Sequence, residues 1–198
     1  MKKYVIRILV ALLVVGIGVQ VISCSTGSSG GGGGGSSFII ASTAFTDGAA
    51  IPIAYCNTYA TQSGTNGSNT SLPLAWSNVP SGAAGFAIKM VDSSASNYVH
   101  WMVVNLPSAT SSLSAGDSST TNNSMPSGCS EIINDVGNAG YDGPEPPAGS
   151  GAHSYAITIY ALSSAIDASS VTKANFDTKV TAAGVLDSAT IMGTFAQP

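Results

Sequence analysis

The sequence predicts a mainly β protein built from antiparallel strands, and three apolar runs carry that prediction. The run Tyr98–Pro107 is apolar at both odd and even positions, which is typical of a strand buried on both faces. The run 86–92 precedes it, and the short polar connection 93–97 favours antiparallel pairing of the two strands. The run His153–Leu162 follows a loop rich in glycine and proline and predicts a third buried strand.

The remaining apolar segments predict shorter strands and one helix. Shorter strands are expected at 38–42, 51–55, 72–76 and 189–195. The segment 171–183 places Phe176, Val180 and Ala183 at helical spacing, and Gly184 follows as a stop signal. We therefore expect one peripheral helix over 171–183.

Two long connections separate these elements and differ in composition. Residues 108–128 are rich in hydroxyl side chains and contain little that can pack, so we expect a mobile surface loop there. Residues 141–151 contain three prolines and several glycines, which restrict the backbone. This second connection is expected to be a stiff loop that delivers His153 to its strand.

Length and charge limit the classes of function. The chain has 198 residues and 44% hydrophobic content, which is enough for one core. Charged residues make up only 8%, and beyond residue 37 three lysines stand against ten carboxylates. Because no basic patch is available to hold a phosphate backbone, nucleic acid is excluded as a partner.

The N-terminal segment predicts export and lipidation. A basic stretch, 1–7, precedes an apolar segment, 8–22, that is too short for a comfortable membrane span. The segment ends V-I-S-C at Cys24 and resembles a bacterial lipobox, so residues 1–23 are interpreted as a lipoprotein signal peptide. An ordinary signal peptide cut elsewhere, with an incidental cysteine, is the alternative.

A low-complexity segment follows the predicted lipidation site. Residues 24–37 are almost wholly serine and glycine and include six consecutive glycines, so they predict a flexible tether. The folded domain is then expected at 38–198. Together these features predict an exported, membrane-anchored protein of the bacterial cell envelope, on the periplasmic face or at the cell surface.

Both histidines lie where a loop becomes a buried strand. Antiparallel pairing places Asp92, which ends one strand, at the same rim as His100 of the next strand. The two-residue period of a strand places Tyr155 on the same face as His153. Two imidazoles beside a carboxylate can donate hydrogen bonds to an oxyanion, which predicts a small anion site.

Other interpretations of these residues stay open. Both histidines could be structural, satisfied by Asp92 and by backbone groups. Two histidines and one aspartate could also form a facial triad for a divalent metal. A hydrolase is a further alternative, although the sequence has no G-x-S-x-G motif.

Together, these segments resemble the bacterial branch of the phosphatidylethanolamine-binding protein family, the Raf kinase inhibitor-like proteins. The resemblance covers 38–198 and is carried by the order of its motifs. These motifs are A-F-T-D-G, I-P-I-A-Y-C, S-L-P-L-A-W-S-N-V-P, H-W-M-V-V-N-L-P, N-D-V-G-N-A-G-Y-D-G-P-E-P-P, G-A-H-S-Y and A-T-I-M-G-T-F. The resemblance implies an antiparallel β-sandwich with one or two peripheral helices and a pocket for phosphate-like or carboxylate groups.

The resemblance also implies which residues contact the ligand. The expected contacts are Asp92, Tyr98, His100, Tyr141, Gly143, Pro144, Glu145, Pro146, His153 and Tyr155. It implies a non-enzymatic binding protein without cofactor or metal, whose partners are a small anionic ligand, the membrane through its lipid, and possible partner proteins. The alternative is a regulator that inhibits a protease or kinase by protein contact, with a vestigial pocket.

Three departures from the family pattern affect this pocket. The family's D-P-D-A-P stands here as Asp92-Ser93-Ser94-Ala95-Ser96, without the second aspartate and both prolines. H-R-Y stands as His153-Ser154-Tyr155, which removes a cation, and Glu145 replaces a frequent cysteine. A carboxylate at the pocket mouth is expected to weaken anion affinity.

Two cysteines remain within the predicted domain. Cys56 and Cys129 are an even pair in an exported protein, and the periplasm is oxidising, so a disulfide between them is predicted. The alternative is two reduced cysteines that act as small apolar residues.

Overall fold

The computed structural model describes residues 36–58, 67–119 and 123–197. The predicted signal peptide, the lipidation site Cys24 and most of the predicted tether lie outside these residues. Within the described ranges no helix has the length and apolar character needed to cross a membrane.

Eight strands form two antiparallel sheets in the described chain. The strands are β1 (Ile39–Ala41), β2 (Leu74–Ser77), β3 (Gly85–Asp92), β4 (Tyr98–Pro107), β5 (Ser112–Leu113), β6 (Ser130–Glu131), β7 (His153–Leu162) and β8 (Val185–Phe195). The smaller sheet has the order β1-β2-β5 and the larger sheet the order β6-β4-β3-β7-β8. Every pairing between these strands is antiparallel, as predicted.

The larger sheet is covered on both faces. Ile40 and Trp76 of the smaller sheet pack against Phe86 and Ile88 of β3 in one buried cluster. A second cluster on the opposite face includes Ala87 and Met102 of the sheet and Phe176 and Val180 of α1 (Phe176–Ala182). This double coverage explains why β3 and β4 are apolar on both faces, and it confirms the predicted β-sandwich with a peripheral helix.

The helix begins later than predicted. Thr172 and Asn175 form a capping box that first closes a 3-10 helix, Lys173–Asn175, and the α-helix starts at Phe176. Gly184 follows with a φ of 78°, in the left-handed region that glycine adopts without strain. The predicted stop and the buried pair at helical spacing are therefore confirmed, whereas the predicted first turn is wrong.

The predicted strand at 51–55 is also wrong, because this segment contains the 3-10 helix Ile53–Tyr55. The Tyr55 N–H donates to the Pro52 carbonyl oxygen at 3.0 Å, which closes a turn that an extended strand would not make. Only Ile51 keeps a strand-like contact, since its N–H donates to the Thr194 carbonyl oxygen at 2.7 Å.

The hydroxyl-rich connection packs more than predicted. Its residues 112–113 form β5, which pairs with β2, and Leu113 is buried. The Glu131 carboxylate accepts hydrogen bonds from Trp101 Nε1 at 2.8 Å, from Ser118 Oγ and from Asn123 Nδ2 at 2.5 Å. A single carboxylate thereby attaches both described parts of this connection to β4.

The predicted disulfide is wrong, because Cys56 and Cys129 are free thiols. Cys56 is fully buried in the core between the sheets, and its Sγ lies 3.7 Å from the Pro52 carbonyl oxygen. Cys129 lies in a turn, where its N–H donates to the Pro126 carbonyl oxygen at 3.3 Å. Burial raises the pKa of Cys56 to about 12 and also raises the pKa of Cys129, so both are protonated at neutral pH.

Candidate ligand pocket at the rim of the larger sheet

A cavity of about 250 Å³ opens where β3 ends and where β4 and β7 begin. Asp92 is the last residue of β3, and it lies opposite Tyr98 on β4 and Tyr155 on β7. Because β3 is flanked by β4 and β7, the three strands together form the floor of the cavity.

An irregularity in β4 determines which side chains face the cavity. Met90 pairs with Trp101, but the next residue of β3, Val91, pairs with Val99, so His100 is an extra residue in β4. Such a β-bulge shifts the register and re-aims side chains. The His100 carbonyl oxygen accepts hydrogen bonds from the Asp142 N–H at 3.1 Å and from Asn134 Nδ2 at 3.1 Å, which satisfies the bulge.

Asp92 and His153 form a close pair in the floor. His153 Nδ1 lies 2.6 Å from Asp92 Oδ2, and Asp92 is only 3% exposed. The other carboxylate oxygen accepts the Ser94 N–H at 2.8 Å. Both oxygens of Asp92 are therefore engaged by protein donors, and the His153 ring is held in one orientation.

The second nitrogen of His153 contacts Ser150. His153 Nε2 lies 3.1 Å from Ser150 Oγ, and the Ser150 hydroxyl donates to the Pro147 carbonyl oxygen at 2.7 Å. The His153 ring is thus held at both nitrogens, by Asp92 at Nδ1 and by Ser150 at Nε2.

His100 has a different environment. It is 4% exposed, and its Nδ1 lies 2.9 Å from the Asp142 carbonyl oxygen, so Nδ1 carries the proton and donates. Burial lowers the pKa of His100, although this carbonyl and the nearby Asp92 carboxylate oppose the shift. The ring is therefore neutral at neutral pH, and Nε2 carries a lone pair instead of a proton.

The Tyr155 hydroxyl is a buried donor without an acceptor. Its ring is fully buried and packs edge-on to His100, with 5.3 Å between the ring centroids. Its Oη forms no hydrogen bond to any described residue. Burial raises the pKa of Tyr155, with a further contribution from Asp92, so the phenol keeps its proton. A buried donor of this kind is costly unless a ligand or water supplies an acceptor.

The wall of the cavity includes a carboxylate that sequence analysis did not single out. Asp142 is 5% exposed, and its Oδ1 accepts hydrogen bonds from Asn57 Nδ2 at 2.8 Å and Asn69 Nδ2 at 3.4 Å. Burial raises the pKa of Asp142 to about 6, with a further contribution from Glu145. Its position between Tyr141 and Gly143 in the predicted loop was the only sequence signal.

The predicted ligand contacts fall into two groups. Those that line the cavity are Asp92, Tyr98, His100, Glu145, Pro146, His153 and Tyr155. Tyr141, Gly143 and Pro144 lie behind the wall and position the loop. Tyr141 Oη donates to the Tyr55 carbonyl oxygen at 2.7 Å, the Gly143 N–H donates to Asn69 Oδ1 at 2.7 Å, and the Pro144 carbonyl oxygen accepts the Asn57 N–H at 3.1 Å.

The metal-site alternative gains no support from this geometry. Across residues 36–58, 67–119 and 123–197, no group of three or more histidine, cysteine, aspartate or glutamate side chains is arranged to hold a metal ion. No lysine lines the cavity in the part of the chain that is described.

Comparisons with known proteins identify the family to which this fold is similar. The sequence matches the family described as phosphatidylethanolamine-binding protein over residues 41–196. It is 38% identical over 125 residues to a putative lipoprotein, LppC, of Mycobacterium tuberculosis, covering 62% of this chain and 54% of LppC. It is 41% identical over 102 residues to Escherichia coli YbhB, covering 50% of this chain and 63% of YbhB. The chain therefore spans little more than half the length of these relatives.

Solved structures show the same fold. The crystal structure of Escherichia coli YbcL, described as a new member of the mammalian PEBP family, superposes with a TM-score of 0.72 at 27% identity. The match covers 82% of this chain and all of that structure. A homologue from Chlamydia trachomatis, CT736, gives a TM-score of 0.66 at 26% identity, covering 82% of this chain and 99% of CT736.

Proposed function

The chain belongs to the phosphatidylethanolamine-binding protein family, and on that premise we propose that it is a cell-envelope binding protein whose pocket takes a small phosphate-like anion. The observation that carries this proposal is the Tyr155 hydroxyl, a fully buried donor without an acceptor at the cavity floor. An oxyanion between Tyr155 and the two histidines would accept that proton. The proposal thus supplies an acceptor for the one buried donor among the described floor residues that lacks one.

The size of the cavity favours a small ligand. Pockets for drug-sized ligands enclose about 300–1,000 Å³, and this cavity of about 250 Å³ lies just below that range. A phosphate group or the head group of phosphoethanolamine fits this scale. A longer substituent would have to leave through the mouth, past Glu145 and Pro146, which line the cavity.

We propose that the protein is anchored to the membrane by a lipid on Cys24. The support is the lipobox-like sequence together with the similarity to a putative lipoprotein. Under this proposal the pocket works within reach of an envelope membrane. Metabolic labelling with a fatty acid, compared between the natural chain and Cys24→Ala, tests the anchor.

The site is proposed to bind without catalysis, although one arrangement invites the opposite interpretation. Ser150, His153 and Asp92 have the connectivity of a serine hydrolase triad. However, the Ser150 hydroxyl donates to the Pro147 carbonyl oxygen at 2.7 Å, so its proton is directed away from His153 Nε2. A fluorophosphonate probe tests this point, because covalent labelling of Ser150 would contradict the non-enzymatic proposal.

A protein partner is the second candidate, and exposed apolar side chains beside the mouth favour it. Tyr98 and Val136 line the cavity and are 38% and 45% exposed, and Ile133 of the same loop as Val136 is 59% exposed. Such side chains are typical of contact surfaces. A regulator that works by protein contact would keep its partner after both His100 and His153 are replaced by alanine.

Calorimetric and NMR titrations with phosphate and phosphoethanolamine test the main proposal. Binding is expected to shift the side-chain resonances of His100, His153 and Tyr155. The variant Tyr155→Phe removes only the hydroxyl and is expected to weaken binding by about tenfold, the value of one buried hydrogen bond. Saturable binding that leaves all three side chains unchanged would contradict the proposed site.

A further inference from the structure

The two histidines of the pocket differ in what they leave available to a ligand. Both nitrogens of His153 have protein partners, Asp92 and Ser150. His100 instead uses its only proton on the Asp142 carbonyl oxygen at 2.9 Å, so its Nε2 carries a lone pair and is an acceptor, and the residue lines the cavity. The floor thus presents an unpartnered donor, Tyr155 Oη, and the lone pair of His100 Nε2.

A fully ionised phosphate cannot satisfy both groups. Its oxygens are all acceptors, so one oxygen would face the lone pair of His100 Nε2 without a proton between them. A phosphate monoester that retains one proton has both functions, because P–O⁻ accepts from Tyr155 and P–O–H donates to His100. A second phosphate pKa of about 6 allows this singly charged form to exist near neutral pH.

The charges around the cavity also favour a ligand with a single negative charge. Asp92 is paired with His153, but Asp142 and Glu145 line the wall, and no lysine does so among the described residues. Two uncompensated carboxylates make a second negative charge on the ligand more costly than the first.

Titratable groups surround His100 on the strands and loops that pack against it. The strands contribute Asp92, Tyr98, His153 and Tyr155, and the loops contribute Asp135, Asp142 and Glu145. The carboxylates favour protonation of His100, and burial opposes it more strongly. His100 therefore does not carry a second proton, and a hydrogen bond at its Nε2 needs a donor outside the ring.

We infer that the pocket selects phosphate monoesters in their singly protonated, monoanionic form, with His100 Nε2 as the acceptor that sets this specificity. The inference rests on the proposed function, since it assumes a phosphate-like ligand at this site. It separates the pocket from a general anion site, because a carboxylate, a phosphodiester and a phosphate dianion all lack the required proton.

Two small phosphates of equal charge test the inference. At about pH 5.5, methyl phosphate is mostly a monoanion with a P–OH, whereas dimethyl phosphate is a monoanion without one. Calorimetry is expected to show about tenfold tighter binding of methyl phosphate, the value of one buried hydrogen bond. Equal affinities in the natural chain would overturn the inference while leaving the proposed function in place.

The variant His100→Gln controls for the extra methyl group. The glutamine amide can turn an N–H towards the ligand, so the ratio of the affinities for methyl phosphate and dimethyl phosphate should fall towards one. If the preference in the natural chain were due only to size, this ratio would stay unchanged, and the inference would be overturned. His153→Gln is the matched variant, and it should weaken both phosphates while keeping their ratio.

Nitrogen-15 NMR of the ligand-free protein gives an independent readout. His100 is expected to show a protonated Nδ1 and an unprotonated Nε2 at neutral pH, and a protonated Nε2 would overturn the inference whatever the affinities. If neither phosphate binds to the natural chain at pH 5.5 or at neutral pH, the proposed function fails, and the inference fails with it.

Discussion

His153 Nδ1 lies 2.6 Å from Asp92 Oδ2, which joins the first residue of β7 to the last residue of β3. Both side chains are largely buried, with 13% of His153 and 5% of Asp92 exposed. Ligand contacts are usually supported by partners that fix their orientation, and here the supporting partner is a neighbouring strand rather than a loop. The pair therefore links the pocket to the stability of the sheet.

Replacing Asp92 by asparagine is expected to destabilise the protein by about 2–3 kcal/mol, because at this buried position the amide has one oxygen for two donors, His153 Nδ1 and the Ser94 N–H. Urea denaturation measures the change. Asp177→Asn is the matched control, since Asp177 pairs with Lys89 at 2.7 Å but is 69% exposed, and its loss should cost less than about 1 kcal/mol. Similar losses in the two variants would show that burial of the Asp92 pair contributes little.

Replacing Glu131 by alanine is expected to destabilise the protein by about 2–3 kcal/mol, because it leaves the buried Trp101 indole N–H without its acceptor. The described parts of the hydroxyl-rich connection should also lose protection from hydrogen exchange. Glu131→Gln keeps an acceptor oxygen and should cost less. An unchanged exchange pattern at Ser118 in Glu131→Ala would contradict the anchoring role.

Replacing Asp142 by asparagine is expected to stabilise the protein above pH 6. The folded-state pKa of Asp142 is raised to about 6, so the folded chain binds more protons than the unfolded chain between about pH 4 and 6. Its contribution to stability therefore falls as the pH rises through this window. The gain should reach about 1–2 kcal/mol above pH 6, allowing for solvent screening, and disappear below about pH 4.

The free energy of unfolding of Asp142→Asn is measured by urea denaturation at each pH and compared with that of the natural chain. His100 contributes in the opposite sense, because its lowered pKa means that stability falls as the pH drops below its unfolded value. Since both proteins retain His100, the difference between them isolates Asp142. A difference that is constant with pH would show that the carboxyl has no raised pKa.

Replacing Gly143 by alanine is expected to displace the loop. A Cβ there would lie 2.3 Å from the Tyr55 carbonyl oxygen and 2.8 Å from the Asn57 nitrogen, so backbone has to move. We expect a loss of about 2–3 kcal/mol and weaker ligand binding. Gly149→Ala is the control, because it has open space and only its φ of 78° to oppose the change, at about 1 kcal/mol. Equal effects would contradict the close packing at Gly143.

Because Cys56 and Cys129 are free thiols, a reductant is expected to leave the stability of the protein unchanged. The melting temperature should be the same with and without dithiothreitol, and mass spectrometry of non-reduced peptides should find both thiols. In the native protein Cys129 should react with a thiol reagent before Cys56, which is fully buried with its pKa raised to about 12. A reductant-dependent melting temperature would contradict the free thiols.

Periodicity predicted the larger sheet well because β3, β4 and β7 are long and buried. The same reasoning failed at 51–55, where the turn hydrogen bonds of Pro52 outweighed an apolar pattern only five residues long. The cysteine pair failed for a related reason. Composition and compartment say that a bond is permitted, but the positions of two side chains decide whether it forms.

Only part of the pocket could be predicted from the sequence. Antiparallel pairing was enough to bring Asp92 near His100, but the bulge at His100 depends on whether distant donors, such as Asn134, can satisfy the freed carbonyl. The role of Asp142 depends on Asn57, which is 85 positions away in the chain. Contacts of this kind leave no local pattern in the sequence. They nevertheless decide which ring nitrogen of each histidine carries a proton.

The floor of the cavity belongs to three adjacent strands, whereas one continuous loop, 142–147, supplies much of its wall. The first part of this loop also holds the floor, because the Asp142 N–H binds the His100 carbonyl oxygen and the Pro144 carbonyl oxygen binds the Asn57 N–H. Replacing only the residues after Pro144 and before Ser150 would therefore change which compounds enter while the strands and the chemistry of the floor stay the same.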